Sequence, residues 1–254
     1  MTSSTEIANR IIDAVLAQQL APGTRLGEQD LAQLFGCSRT LVREALTRLA
    51  ARGIVTVSAR RGWFVIEPSV EEAREAFEAR RVLELGMLRN LKSLSPAALQ
   101  QLSEHVSQEK AALGGEDVST RSFLLGDFHV CLADALGNRL LSNTLRDYTA
   151  RTTLIAMLYQ SSHQAEQSCT EHQLIVQELA KGDFARAEAL MAEHLSSVES
   201  GLRQSVDNDP LSSLRSALAP IAKRCDHAPK LTRPRAKRGD DSPAPEDDYL
   251  GKLL

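Results

Sequence analysis

No apolar run in this chain of 254 residues approaches the ~20 that a bilayer-spanning helix needs, and its N-terminus lacks the pattern of a signal peptide. A cytoplasmic, membrane-free protein is expected. The four cysteines, Cys37, Cys131, Cys169 and Cys225, are scattered without CxxC spacing, which argues for buried or idle thiols over disulfides, structural zinc or redox switching. HExxH, a nucleophile elbow and a phosphate loop are all missing, so most of the machinery of a hydrolase or isomerase is absent. Aromatic residues make up only 4% of the chain, and few rings, chiefly Tyr148, Tyr159, Phe123 and Phe128, are available to stack on a planar ligand. No internal repeat is visible.

Lysine is missing from the first 66 residues, whose eight arginines and five acidic residues leave +3; the other 22 basic and 28 acidic residues give −6. The overall −3 therefore conceals a basic head on an acidic body. In that head, residues 31–62 read as a helix, a tight turn, a second helix and a hairpin. Leu31, Ala32 and Leu34 form an apolar patch, Gly36 supplies a turn that can reach positive φ, and Ser38 is an N-cap for the second helix. Val42, Ala45, Leu46 and Leu49 recur at helical spacing and bury one face, which leaves Arg39, Thr40, Arg43 and Arg48 near the exposed, leading side. In helix-turn-helix proteins that end contacts base edges. Ile54–Val57 and Trp63–Ile66 are β-branched and aromatic runs around a polar turn, a basic wing whose Arg60, Arg61 and Gly62 suit phosphate or minor-groove contact. A small domain with a solvated basic loop is the alternative for these features.

These residues resemble the winged helix-turn-helix of the GntR family of bacterial transcription regulators. The resemblance is carried by Ile11 to Leu16, Ala21-Pro22-Gly23-Thr24-Arg25-Leu26, Leu31-Ala32, Gly36-Cys37-Ser38-Arg39-Thr40, Val42-Arg43-Glu44-Ala45-Leu46, Leu49, Gly53 and Arg61-Gly62, and it covers about residues 6 to 66. It implies that Ser38, Arg39, Thr40, Arg43, Arg61 and Gly62 contact double-stranded operator DNA. Many members have proline in place of Leu41 and several have arginine in place of Gln29; the second difference bears on which operator base is read.

After Pro68 the β signals stop and helices follow one another. Ser69-Val70-Glu71-Glu72 is a capping box opening a helix to about Leu91. Ser95-Pro96 opens a second, to about Leu113. The next run from Val118 to Leu136, from about Arg139 to Gln160, from about Glu166 to Lys181, and from Asp183 to about Val206, with Gly137 and Gly182 as stops. Six helices with short links describe a bundle. The expected class is mainly α, with a winged helix-turn-helix at 1–67, an all-helical effector-binding and dimerisation domain at 68–206 and a disordered tail at 207–254. That tail holds six prolines and clusters of both charges, with some helical periodicity at Leu211–Cys225.

Three histidines stand out in the bundle. His172 lies ten residues before Gly182 and His194 twelve after it, so an antiparallel hairpin brings both to one height. His129 lies on a third helix that can meet them in the core, where facing helices build metal sites. Separate satisfaction of each imidazole by backbone or water is the other reading of the spacing.

The resemblance extends here to the FadR-type ligand-sensing domain called FCD, through Arg80-Arg81-Val82-Leu83-Glu84, Phe128-His129, Ala135-Leu136-Gly137-Asn138, Glu171-His172 and Gly182-Asp183 through Ala187 to His194-Leu195. It implies that His129, His172 and His194, with an aspartate four residues before the first, hold zinc, nickel or manganese, and that a small organic-acid effector completes the coordination. This chain has Leu125 at the aspartate position, and Asp127 lies about 200° around the helix from His129, a poor substitute. Either the three imidazoles bind metal with water or effector in the missing place, or they bind an anion directly with Arg80 and Arg151. The expected protein is a homodimeric, ligand-responsive repressor released from a palindromic operator, because two readers related by a two-fold axis multiply specificity. A metal-dependent enzyme on the three histidines and a ligand-independent DNA-binding protein are the alternatives.

Overall fold

The computed structural model describes residues 2–59, 61–159 and 165–207. The expected tail, with its Leu211–Cys225 segment, and Arg60 of the wing lie outside the described residues.

Helix α1 (Ser4–Leu16) packs on α3 (Arg39–Ala51), with α2 (Glu28–Phe35) between them in sequence. Ile7, Ile11, Ile12 and Val15 of α1 meet Val42, Ala45, Leu46 and Leu49 of α3 in one core, the two faces that the helical spacing marks out. Gly36 ends α2 in the left-handed region at φ 59°, and Ser38 caps α3 by accepting the Leu41 N–H at 3.2 Å. Leu34 departs from the expected patch: it is 76% exposed, and Phe35 takes the inward place beside Leu31. The wing is β2 (Val55–Ser58) paired antiparallel with β3 (Gly62–Val65), Val55 opposite Val65 and Ser58 opposite Gly62. A two-residue strand, β1 (Arg25–Leu26), joins the other edge of β3 to give the order β1-β3-β2. Two residues are too few for an alternating pattern to betray a strand.

The other described helices are α4 (Val70–Arg89), α5 (Pro96–Leu113), α6 (Val118–Ala135), α7 (Arg139–Tyr159), α8 (Ala165–Lys181) and α9 (Phe184–Asp207). Both bonds of the Ser69–Glu72 capping box form, and Ser95 caps α5 with Pro96 at its first position. Helix α6 is enclosed: Phe128 through Ala133 are all buried, because α5, α7, α8 and α1 surround it. A helix covered on every side offers its side chains to several neighbours at once, which is what His129 requires.

Ala150 and Leu154 of α7 belong to the same buried cluster as the winged unit's core. The contact has a polar border. Arg146 reaches Asp13 at 2.8 Å, Arg52 Nε donates to Asp147 at 2.7 Å, and Arg151 Nη2 donates to the Arg52 carbonyl at 2.8 Å. Gly53, at φ 66°, sits where any side chain would collide with the Arg151 guanidinium. Gly126 on α6 similarly lets α1 and α7 come close, with Leu16 and Thr149 against it.

Candidate functional site

Two groups of polar side chains are built into this frame. The first lies on the leading face of α3. Arg39 and Arg43, one turn apart, are 62% and 60% exposed, and both approach Glu28 of α2. Arg43 is held in two bonds, Nε to Oε1 at 2.9 Å and Nη2 to Oε2 at 2.7 Å; Arg39 stays at 3.6 Å. Trp63 of β3 also donates its indole N–H to Glu28, at 3.0 Å. The Glu28 carboxyl is held down at about 2, first by the Arg43 and Trp63 hydrogen bonds. Thr40 is exposed beside them, and Arg61, on the wing next to Gly62, lies over the Phe64 ring at 5.4 Å. Arg48 does not join this face. It is nine residues from Arg39, half a turn out of phase, and pairs with Glu44 and Thr5.

The second group is buried. His129 of α6, His172 of α8 and His194 of α9 are each at most 3% exposed, and one nitrogen of each lies within 4.8 Å of the others. Every Nδ1 faces a carboxylate: His129 to Glu84 at 2.6 Å, His172 to Glu109 at 3.0 Å and His194 to Glu171 at 2.7 Å. An ionised carboxylate only accepts, so each Nδ1 carries the proton and each Nε2 presents a lone pair. The Nε2 atoms of His172 and His194 stand 3.3 Å apart. Two such lone pairs repel unless an electrophile lies between them. Burial, reinforced by Arg80 and His172 respectively, pushes the pKa of His129 well below 6.5 and that of His194 also down, which keeps both rings neutral and able to ligate. Burial would raise Glu84, yet His129 and Arg80 hold its carboxyl at about 2. The donor set thus fits a divalent ion, with all three imidazoles oriented by carboxylates behind them.

Arg80 is buried beside this centre. Its Nε donates to Glu84 and its Nη1 to Thr152, each at 2.8 Å, while Nη2 is buried without a partner among the described residues. A cavity of about 370 Å³ lies against the three histidines and Arg80, with Leu125, Arg121, Thr153 and Gln18 also in its wall. Leu125 therefore occupies the expected place and contributes an apolar surface. Asp127 turns away towards Arg146. Arg151, expected beside the histidines, is not in the cavity wall: Thr152 and Thr153 face the cavity, and Arg151 points from the same helix to the winged unit. Rotation of about 100° per residue separates these directions.

Sequence reasoning passed over Glu28, the carboxylate roles of Glu109 and Glu171, and His105, which shares Glu109 at 3.3 Å. A usable signal existed for two of them: Glu109 follows His105 at the helical spacing of four. Gln18 reaches the cavity wall from the winged unit with φ 56°, and no sequence pattern marks it.

A winged helix-turn-helix carried by a bundle with a ligand-sized cavity against three buried histidines defines a ligand-binding transcription regulator. Residues 3–65 match the description "Bacterial regulatory proteins, gntR family", and residues 75–197 match the FCD domain. Curated relatives include the HTH-type transcriptional repressor RspR of Escherichia coli, 26% identical across 73% of this chain and 82% of that protein. LutR of Bacillus subtilis is 28% identical across 71% and 92%. A regulator in an unstable DNA locus of Streptomyces ambofaciens is 30% identical across 78% and 84%. Among solved structures, a GntR regulator from Rhodococcus sp. RHA1 superposes with a TM-score of 0.70 at 24% identity, covering 80% of this chain and 98% of that one. The chain belongs to the GntR family of bacterial transcription regulators, with an FCD ligand-binding domain. Its family and relatives are regulators rather than enzymes. No described helix is long and apolar enough to cross a membrane.

Proposed function

We propose that the protein is a homodimeric repressor in which residues 1–67 read a palindromic operator and residues 68–206 bind a small organic acid that releases the DNA. The carrying observation is Arg80 Nη2, a buried cationic nitrogen without a partner among the described residues, beside three convergent imidazoles on a shared cavity. Burying such a group costs stability unless an acceptor completes it, and an anionic ligand is that acceptor. His129, His172 and His194 would hold zinc, nickel or manganese, which would supply a Lewis acid for a carboxylate effector, and Leu125 offers no fourth donor in its place.

Helix α7 links the two activities. Its Thr152 and Thr153 face the cavity, and its Arg146, Asp147 and Arg151 hold the winged unit. An effector that prefers one placement of α7 biases the placement of the reader, and two readers so shifted no longer match both half-sites. Ser38, Arg39, Thr40, Arg43, Arg61 and Gly62 form the DNA-contacting set in this reading, acting in the cytoplasm where the operator is.

Metal analysis of untagged protein by inductively coupled plasma mass spectrometry tests the sensor. About one ion per chain, lost in His172→Ala, supports a metal-dependent site. No ion in either protein removes the metal and leaves direct recognition of the anion by the imidazoles and Arg80.

A further inference from the structure

We propose that Glu28 sets the base specificity of Arg43, gripping one edge of its guanidinium so that the other edge is offered to guanine in a single orientation. The inference rests on the reading of α3 as the DNA-contacting helix. Arg43 spends Nε and one Nη2 hydrogen on the two Glu28 oxygens, at 2.9 and 2.7 Å. Nη1 has no partner among the described residues, and the remaining hydrogens of Nη1 and Nη2 form a parallel pair directed outward. Guanine offers O6 and N7 as adjacent acceptors in the major groove, the match for such a pair; adenine replaces one acceptor with a donor.

The grip is more than a solvated surface pair. Glu28 lies in the first turn of α2, where the helix N-terminus favours a carboxylate, and its side chain is 16% exposed. It accepts N–H groups from two further elements, Arg43 of α3 and Trp63 of the wing. One carboxylate thus ties α2, α3 and β3 together and removes the rotamer freedom that an arginine on an exposed helix otherwise keeps. Arg39, 3.6 Å from the same carboxylate, is not locked and remains free to follow phosphate. A negative charge beside the groove also repels the DNA backbone, so duplexes without a guanine in reach gain least.

Selection of duplexes by the full-length protein from a randomised library, followed by fluorescence anisotropy on the selected site, tests the proposal. The base whose preference Arg43→Ala abolishes is identified first, and guanine and adenine versions of that site are compared. Wild type should prefer guanine by on the order of tenfold or more. Glu28→Gln should reduce that preference several-fold and strengthen binding to random duplex. Trp63→Phe, which removes the indole N–H and keeps an aromatic ring in the wing, should shift both in the same direction by less, and it carries the test alone if Glu28→Gln does not fold. An unchanged guanine preference in the folded variants overturns the proposal. If Arg43→Ala itself alters no base preference, the reading of α3 fails first, and the role of Glu28 falls with it.

Discussion

Arg43 and Arg80 both donate to a glutamate, yet the first side chain is 60% exposed and the second 5%. Around Arg43 the groups that lack protein partners face water and can exchange it for phosphate or a base edge at little cost. Arg80 is buried, so it depends on protein acceptors: Glu84 takes its Nε and Thr152 its Nη1, while Nη2 has no acceptor among the described residues. The same pair of residue types gives a solvent-facing ion pair in one place and a desolvated, demanding cluster in the other. Exposure decides which.

The contrast is broken most severely by removing a buried partner. Glu84→Ala leaves Arg80 and His129 without their acceptor and should destabilise the protein by about 3–5 kcal/mol in urea denaturation, whereas Glu28→Ala should cost about 1 kcal/mol or less. Equal losses would mean that burial does not distinguish the two clusters. Next comes the reading face itself: Arg39→Ala and Arg43→Ala should each weaken operator binding on the order of tenfold, with metal content unchanged and a stability cost no larger than that of Glu28→Ala. Operator affinity indifferent to both would remove α3 as the reader.

Acid separates the regions more gently. His129 and His194 have folded pKa values below the ordinary 6.5, so as pH falls through 6.5 the unfolded chain takes up protons that the folded chain refuses. Their contribution is present above 6.5 and is lost progressively below it. Glu28, held at about 2, contributes above 4.5 and loses its share only between 4.5 and 2. Denaturation midpoints measured across this range should therefore begin to fall near 6.5, well before the Glu28 interval, and a flat profile down to 4.5 would contradict the neutral-imidazole assignment. The smallest effect is expected at Arg89, 70% exposed and paired with Glu188 across the bundle surface: Arg89→Ala should leave the midpoint unchanged within error.

Much of this architecture is legible in short stretches of the chain. Ser38, Ser69 and Ser95 announce helix starts because a cap bonds an N–H only three residues on, and Gly36 and Gly182 announce stops because the left-handed turn disfavours a Cβ. The convergence of His172 and His194 follows from equal paths on either side of Gly182. The outward turn of Leu34 and the diversion of Arg151 to the winged unit each depend on which neighbour covers which side of a helix, whereas the half-turn offset of Arg48 from Arg39 is legible in their spacing of nine. Periodicity gives the angle between side chains, not the identity of what they meet.

The sequence by itself determined the order of helices and wing, the basic reading head, the family and the three histidines, because caps, turns and amphipathic spacing act over a few residues. Only the tertiary structure decided which carboxylate stands behind each imidazole. Glu84, Glu109 and Glu171 lie 45, 63 and 23 positions from their histidines. The same holds for Glu28 beneath Arg43, for Gln18 in the cavity wall and for α7 as the element shared by cavity and reader. Those pairings arise when helices pack, because desolvation forces each buried polar group to find whichever complementary partner the fold has brought within hydrogen-bonding distance.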